Sequence, residues 1–121
     1  MEVLPEHTDP GFALWAWCRV QLNHEALPAG RLVVHFDFPD ERAGNRFFWL
    51  LVENGGAEVC ATDPGGEPEL RVIARSAAFV DWHRGVLSWS EAVRSRRITV
   101  TGSRSLVRAF PSWNTRTPIL G

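Results

Sequence analysis

The sequence predicts an α+β domain with five strands, mostly antiparallel, in the element order α–β–β–β–β–α–α–β–α. Three observations predict it. Apolar residues alternate through 32–38, the period of a strand with one buried face. Turn chemistry then interrupts the chain at short intervals as far as residue 69. From Ser76 onward the apolar spacing becomes helical, broken once by a short β run. The 121 residues fit one domain, 1–121, with 1–8 and 114–121 as loose ends. Hydrophobic residues make up 45% of the chain, enough to bury a core without disulfides or metals.

Asp9-Pro10 opens the first helix, because Asp caps free N–H groups and Pro suits the first helical position. The helix is expected to run to Leu22, with Leu14, Trp15, Cys18 and Leu22 on one inward stripe. Trp17 and Val20 fall off that stripe and suggest contact with a partner chain. Leu32, Val34, Phe36 and Phe38 oppose Val33, His35 and Asp37 along the first strand. Phe47 to Val52 is apolar on both faces, which places it inside the sheet or between core and cavity. Asn54-Gly55-Gly56 is a hairpin signal leading into a third strand, Glu58 to Ala61. A turn over 62–66 precedes the fourth strand, Glu69 to Ala74. Short links between these four strands suggest an antiparallel meander.

Ser76 can cap a helix whose Ala78, Phe79, Trp82 and Val86 share a face, and Gly85 ends or bends it. Ser88 and Glu91 have capping-box spacing, with Trp89, Ala92 and Val93 expected inward. Ile98 to Thr101 is the fifth strand. Gly102 turns the chain, Ser103 caps a last helix bearing Leu106, Val107 and Phe110, and Pro111 stops it.

Composition narrows the function. Net charge is −1, which gives nucleic-acid binding no bulk support. Arg94, Arg96, Arg97, Arg104 and Arg108 form a local basic stretch that reads as solvated helix ends. No segment is apolar for long enough to span a membrane, and the first ten residues hold acids and prolines in place of a secretory signal. Two cysteines, Cys18 and Cys60, lie outside any C-x-x-C motif, so the expected compartment is the cytoplasm, with both thiols reduced. The four histidines are scattered, with His35 and His83 expected on polar faces, and no metal or other cofactor is expected. No nucleophile elbow or phosphate-binding glycine loop is present, and the acids Asp37, Asp40 and Glu41 sit in a turn that explains them. No catalytic residue is assigned.

Two groups of motifs carry a resemblance. The first is Trp82-His83-Arg84-Gly85-Val86-Leu87-Ser88 running into Glu91-Ala92-Val93, then Ile98-Thr99-Val100-Thr101-Gly102 and Leu106-Val107-Arg108-Ala109-Phe110. It resembles the closing helices and strand of the sterol carrier protein type-two family. The second is Asp9-Pro10, Val34-His35-Phe36-Asp37-Phe38-Pro39-Asp40 and Thr62-Asp63-Pro64-Gly65. It is similar to the domain that follows some actinobacterial winged-helix regulators of the HxlR type. The resemblance covers about residues 4–113. The chain departs from the family at Ser95-Arg96-Arg97, where a glycine often precedes the Ile-x-Val strand.

The resemblance implies helices packed on one face of the sheet, with an apolar tunnel between the layers. Phe79, Trp82 and Val86 would face the sheet there, meeting Trp49, Trp15, Leu106 and Phe110. The same residues would serve equally as a closed core. The implied function is non-catalytic binding of an apolar small molecule or lipid, as a carrier or as the effector domain of a transcription regulator. The implied partners are that ligand and a winged-helix protein, without direct nucleic-acid contact by this domain. The alternative is a ligand-free module that dimerises or docks through Trp17 and the aromatic tail around Trp113.

Overall fold

Five strands, β1 (Leu32–Asp37), β2 (Phe47–Glu53), β3 (Gly56–Cys60), β4 (Leu70–Ala74) and β5 (Ile98–Gly102), form one sheet in the spatial order β3–β2–β1–β4–β5. The structure is a computed structural model and describes residues 10–53 and 56–114. The Asp9 cap, the arm 1–8, the turn residues Asn54 and Gly55, and the tail from 115 lie outside the described residues.

The meander expected from the short links is not formed. β1–β2, β2–β3 and β4–β5 are antiparallel, but β4 returns to the far side of β1 and pairs with it in parallel. The Pro- and Gly-rich run after Cys60 is a crossover and not a hairpin turn. Glu69 fixes the arrival. Its N–H donates to the Val33 carbonyl at 2.9 Å, and its carboxylate accepts the Val33 N–H at 2.6 Å.

Side-chain alternation matches the expected period. Leu32, Val34, Phe36 and Phe38 are buried on one face, with Phe48, Leu50, Val52, Leu70, Val72, Ala74 and Ile98 beside them. Gly102 ends β5 at a close approach: a Cβ there would lie 2.4 Å from the Glu69 carbonyl oxygen, and its φ is 145°. Only glycine fits, which gives the Ile-x-Val-x-Gly motif a physical basis.

Four short helices, α1 (Pro10–Ala16), α2 (Ser76–His83), α3 (Trp89–Arg94) and α4 (Arg104–Ala109), join 3₁₀ turns to cover the buried face. α1 continues as a π turn over Trp17–Gln21. Leu14, Cys18 and Leu22 are buried as expected, but Trp17 replaces Trp15 in the interior. Trp15 projects outward, 53% exposed, stacked on Phe12.

Asp40, in the turn after β1, supplies the α2 cap in place of Ser76. Its carboxylate accepts the Ser76 N–H at 3.1 Å, and the Ser76 hydroxyl donates to Glu41 at 2.8 Å. Gly85, with φ 82°, ends this helix. Ser88 and Ser103 cap α3 and α4 through the Glu91 and Leu106 N–H groups. The Glu91 side chain pairs with Arg94 at 2.6 Å and with Arg97, two members of the expected basic stretch. Ala92 is buried and Trp89 packs against the core, whereas Val93 faces out. Arg96 adopts φ 61° in the turn where the family often has glycine. No helix among the described residues is long and apolar enough to cross a membrane.

Candidate apolar ligand site

Between helices and sheet lies a layer of aromatic rings, with Trp17 as its hub. Its indole centroid is 6.4 Å from Phe36, 5.7 Å from Phe79, 5.9 Å from Trp82 and 5.8 Å from Phe110. Trp82 stacks on Phe110 at 5.5 Å, Phe110 meets Trp113 at 5.3 Å, and Trp89 closes on Trp82 at 5.0 Å. Each such pair contributes about 0.5–1.5 kcal/mol beyond the area it buries. Trp17, Phe36, Phe79, Phe110 and Trp113 are fully buried.

The polar fixtures are few. Asn114 is buried, accepts the Trp17 Nε1–H at 3.1 Å and donates its amide to the Trp82 carbonyl at 3.3 Å. The Asn23 N–H donates to the Trp113 carbonyl at 2.7 Å, tying the turn after α4 to the segment after the π turn. Trp113 Nε1 is buried without a hydrogen-bond partner. Asn114, expected at the start of a loose tail, is therefore part of the interior.

Three of the sequence-selected residues, Phe79, Trp82 and Phe110, meet in this layer. Leu106 packs half-buried at its rim. The other three are placed elsewhere. Val86 is 73% exposed, because α2 stops at His83 and Gly85 redirects the chain. Trp15 lies outside, because the buried stripe of α1 and its continuation runs through Leu14, Trp17 and Cys18. Trp49 sits on the opposite face of β2, since Phe48 and Leu50 take the inward positions. Sequence reasoning missed Trp17, Phe36, Trp113 and Asn114 as members of the layer. Trp17 follows Leu14 by three residues, a helical spacing that was there to be read, but Asn114 leaves no local signal.

Trp49 joins a second group. It packs at 5.1 Å from His35, whose ring lies 5.6 Å from Phe47, on the face that no helix of the described residues covers. Arg46 binds Asp37 at 2.7 Å and lies over the Phe47 ring at 4.8 Å. Burial, then the nearby Arg71, lowers the His35 pKa. His35 thus occupies the outward face expected of it. His83, expected outside, is buried against Phe79. Burial raises both thiol pKa values, and Cys18 Sγ donates to the Ala57 carbonyl, so both cysteines are held as thiols.

Two depressions, of about 280 and 300 Å³, lie at opposite ends of the sheet. One is lined by Leu51, Glu53 and Ala57, the other by Val93, Ile98 and Val100. Both are separate from the aromatic layer. Among the described residues, rings in direct contact lie where the resemblance implies a tunnel.

No protein-family model and no curated protein matches the chain. Solved structures do. The sterol carrier protein domain 2 of Helicoverpa armigera superposes with a TM-score of 0.62 over 93% of this chain and 90% of its own, at 14% identity. The fold is that of the sterol carrier proteins. Palmitated SCP2L2 from Aedes aegypti shares the sterol carrier protein fold with a TM-score of 0.56, over 91% of this chain and 93% of its own, at 11% identity. The sec-alkylsulfatase Pisa1 from Pseudomonas sp. contains the same fold, with a TM-score of 0.66 over 87% of this chain at 12% identity. The chain spans only 16% of that protein.

Proposed function

We propose that this domain binds an apolar small molecule or lipid between its sheet and its helices, without catalysing a reaction on it. The observation that carries the reading is the aromatic layer of Trp17, Phe79, Trp82 and Phe110, which puts broad apolar surface under a cover of short helices. None of these helices exceeds eight residues, so the cover is held more by its packing than by its own helical stability. A ligand enters by parting helices from sheet and trades ring–ring contact for ring–ligand contact. Burial of its own surface drives the exchange at roughly 25 cal/mol per Å². The palmitated Aedes aegypti protein of the same fold supports the ligand class.

The role that follows is that of a carrier or, joined to a winged-helix partner, of an effector domain in a transcription regulator. In the second case ligand binding spreads the helices, and the partner reads that change. The motifs shared with the domains of HxlR-type regulators favour it. The test is organic extraction of protein purified from its native host, followed by mass spectrometry. A stoichiometric apolar molecule, lost in Trp82→Ala, is the expected result. An empty extract together with no uptake of a hydrophobic fluorescent probe contradicts the reading.

A second reading is a ligand-free interaction module. Its expected anchors, Trp17 and Trp113, are both fully buried and offer no docking surface. Its support shifts to the exposed pair Phe12 and Trp15 and to Phe47 on the uncovered sheet face. Sedimentation of the wild type against Trp15→Ser tests it: a dimer that the variant dissociates favours this reading.

A further inference from the structure

Two polar groups at the aromatic layer are paired with each other and with the backbone, and one buried group is not. Trp17 Nε1 donates to Asn114, and the Asn114 amide donates to the Trp82 carbonyl. Trp113 Nε1 donates to nothing, although Trp113 is fully buried. Among the described residues it is the one buried side-chain nitrogen or oxygen without a partner. An indole N–H removed from water and left unpaired is costly, and such a group in a native protein calls for an acceptor. The group sits beside Phe110, which touches Trp17, Trp82 and Trp89, so it lies at one end of the apolar layer.

We propose that the ligand carries a neutral oxygen acceptor, an ester, ketone or ether, and that Trp113 Nε1–H donates to it while the rest of the molecule lies against the aromatic layer. This rests on the apolar-binding reading above and adds the chemistry of one end of the ligand. A neutral oxygen fits better than an ionised carboxylate, because a single indole N–H does not repay the desolvation of a full charge. The arrangement is that of an apolar site with one orienting polar group.

The test compares two fluorescent probes of similar length. Methyl parinarate has an ester oxygen, and diphenylhexatriene has no heteroatom. In wild-type protein labelled with ¹⁵N, the assigned Trp113 indole N–H resonance moves downfield on saturation with methyl parinarate and moves far less with diphenylhexatriene. Trp113→Phe keeps a ring and removes the donor. It is expected to bind the ester about tenfold more weakly, the loss of one good hydrogen bond, and the hydrocarbon as before. Equal responses of the Trp113 resonance to both probes, or unchanged ester affinity in Trp113→Phe, overturn the proposal. If Trp113→Phe fails to fold, the wild-type resonance decides alone. If neither probe binds wild type, the apolar-binding reading fails first and takes this inference with it.

Discussion

Phe36 and His35 are neighbours on β1, and their surroundings could hardly differ more. Phe36 points under the helices, into contact with Trp17, Phe38, Phe79 and Phe110. His35 points the other way, onto a partly open surface shared with Phe47 and Trp49. Both faces of this sheet are aromatic, and the helices of the described residues cover only one. Ring content therefore does not separate core from surface in this chain. The cover does, and it is built from short helices, a π turn and a C-terminal 3₁₀ turn over Phe110–Trp113.

The widest separation between the faces is expected from truncating one tryptophan on each. Trp17→Ala empties the hub of the covered layer and should cost about 3–5 kcal/mol. Trp49→Ala removes a half-buried ring from the uncovered face and should cost about 1 kcal/mol or less. Urea unfolding of the two variants measures both. Similar losses would mean that the uncovered face is as much a core as the covered one.

A smaller effect is expected at the polar fixture of the covered side. Asn114→Ala leaves the Trp17 indole N–H buried and unpaired and should cost about 1–3 kcal/mol by the same measurement. A loss near zero would show that the C-terminal turn contributes little to holding the cover down.

The smallest effect sharpens the uncovered face. Burial and Arg71 hold the His35 pKa below 6.5, so the unfolded chain binds a proton at His35 more readily than the folded one. The stability linked to His35 is fully present above about pH 7. It is lost as the pH falls through 6.5 to the lower folded value. His35→Gln should flatten the stability profile in that window, and a profile of unchanged slope would remove His35 as its source.

Features with a local cause were legible in the sequence. The alternation of Leu32, Val34, Phe36 and Phe38, the caps at Ser88 and Ser103 and the helix end at Gly85 each follow from a few adjacent residues. Features set by distant partners were not. The parallel pairing of β4 with β1 depends on which strand edge the chain reaches after its crossover, and the residues of 61–69 look like ordinary turn formers. The cap that Asp40 gives α2 spans 36 residues, and the hydrogen bond from Trp17 to Asn114 spans 97. Trp17 took the interior place expected of Trp15: helical spacing allows either residue beside Leu14 and Cys18, and the distant partners Phe36, Phe79 and Trp82 select Trp17. Of the candidate site, Phe79, Trp82 and Phe110 were legible because they lie on regular helical spacing or directly at a helix end. Val86 and Trp49 were misplaced by a helix that ends early and by a strand whose two faces are both apolar.

The most direct test of apolar binding on the covered face is a titration of ¹⁵N-labelled protein with diphenylhexatriene, following the indole N–H resonances of its six tryptophans. Saturable changes are expected at Trp17 and Trp82, with a much smaller one at Trp113, while Trp15 and Trp49 stay unperturbed. Changes confined to Trp15 and Trp49, or none at any of the six, would contradict apolar binding on the covered face.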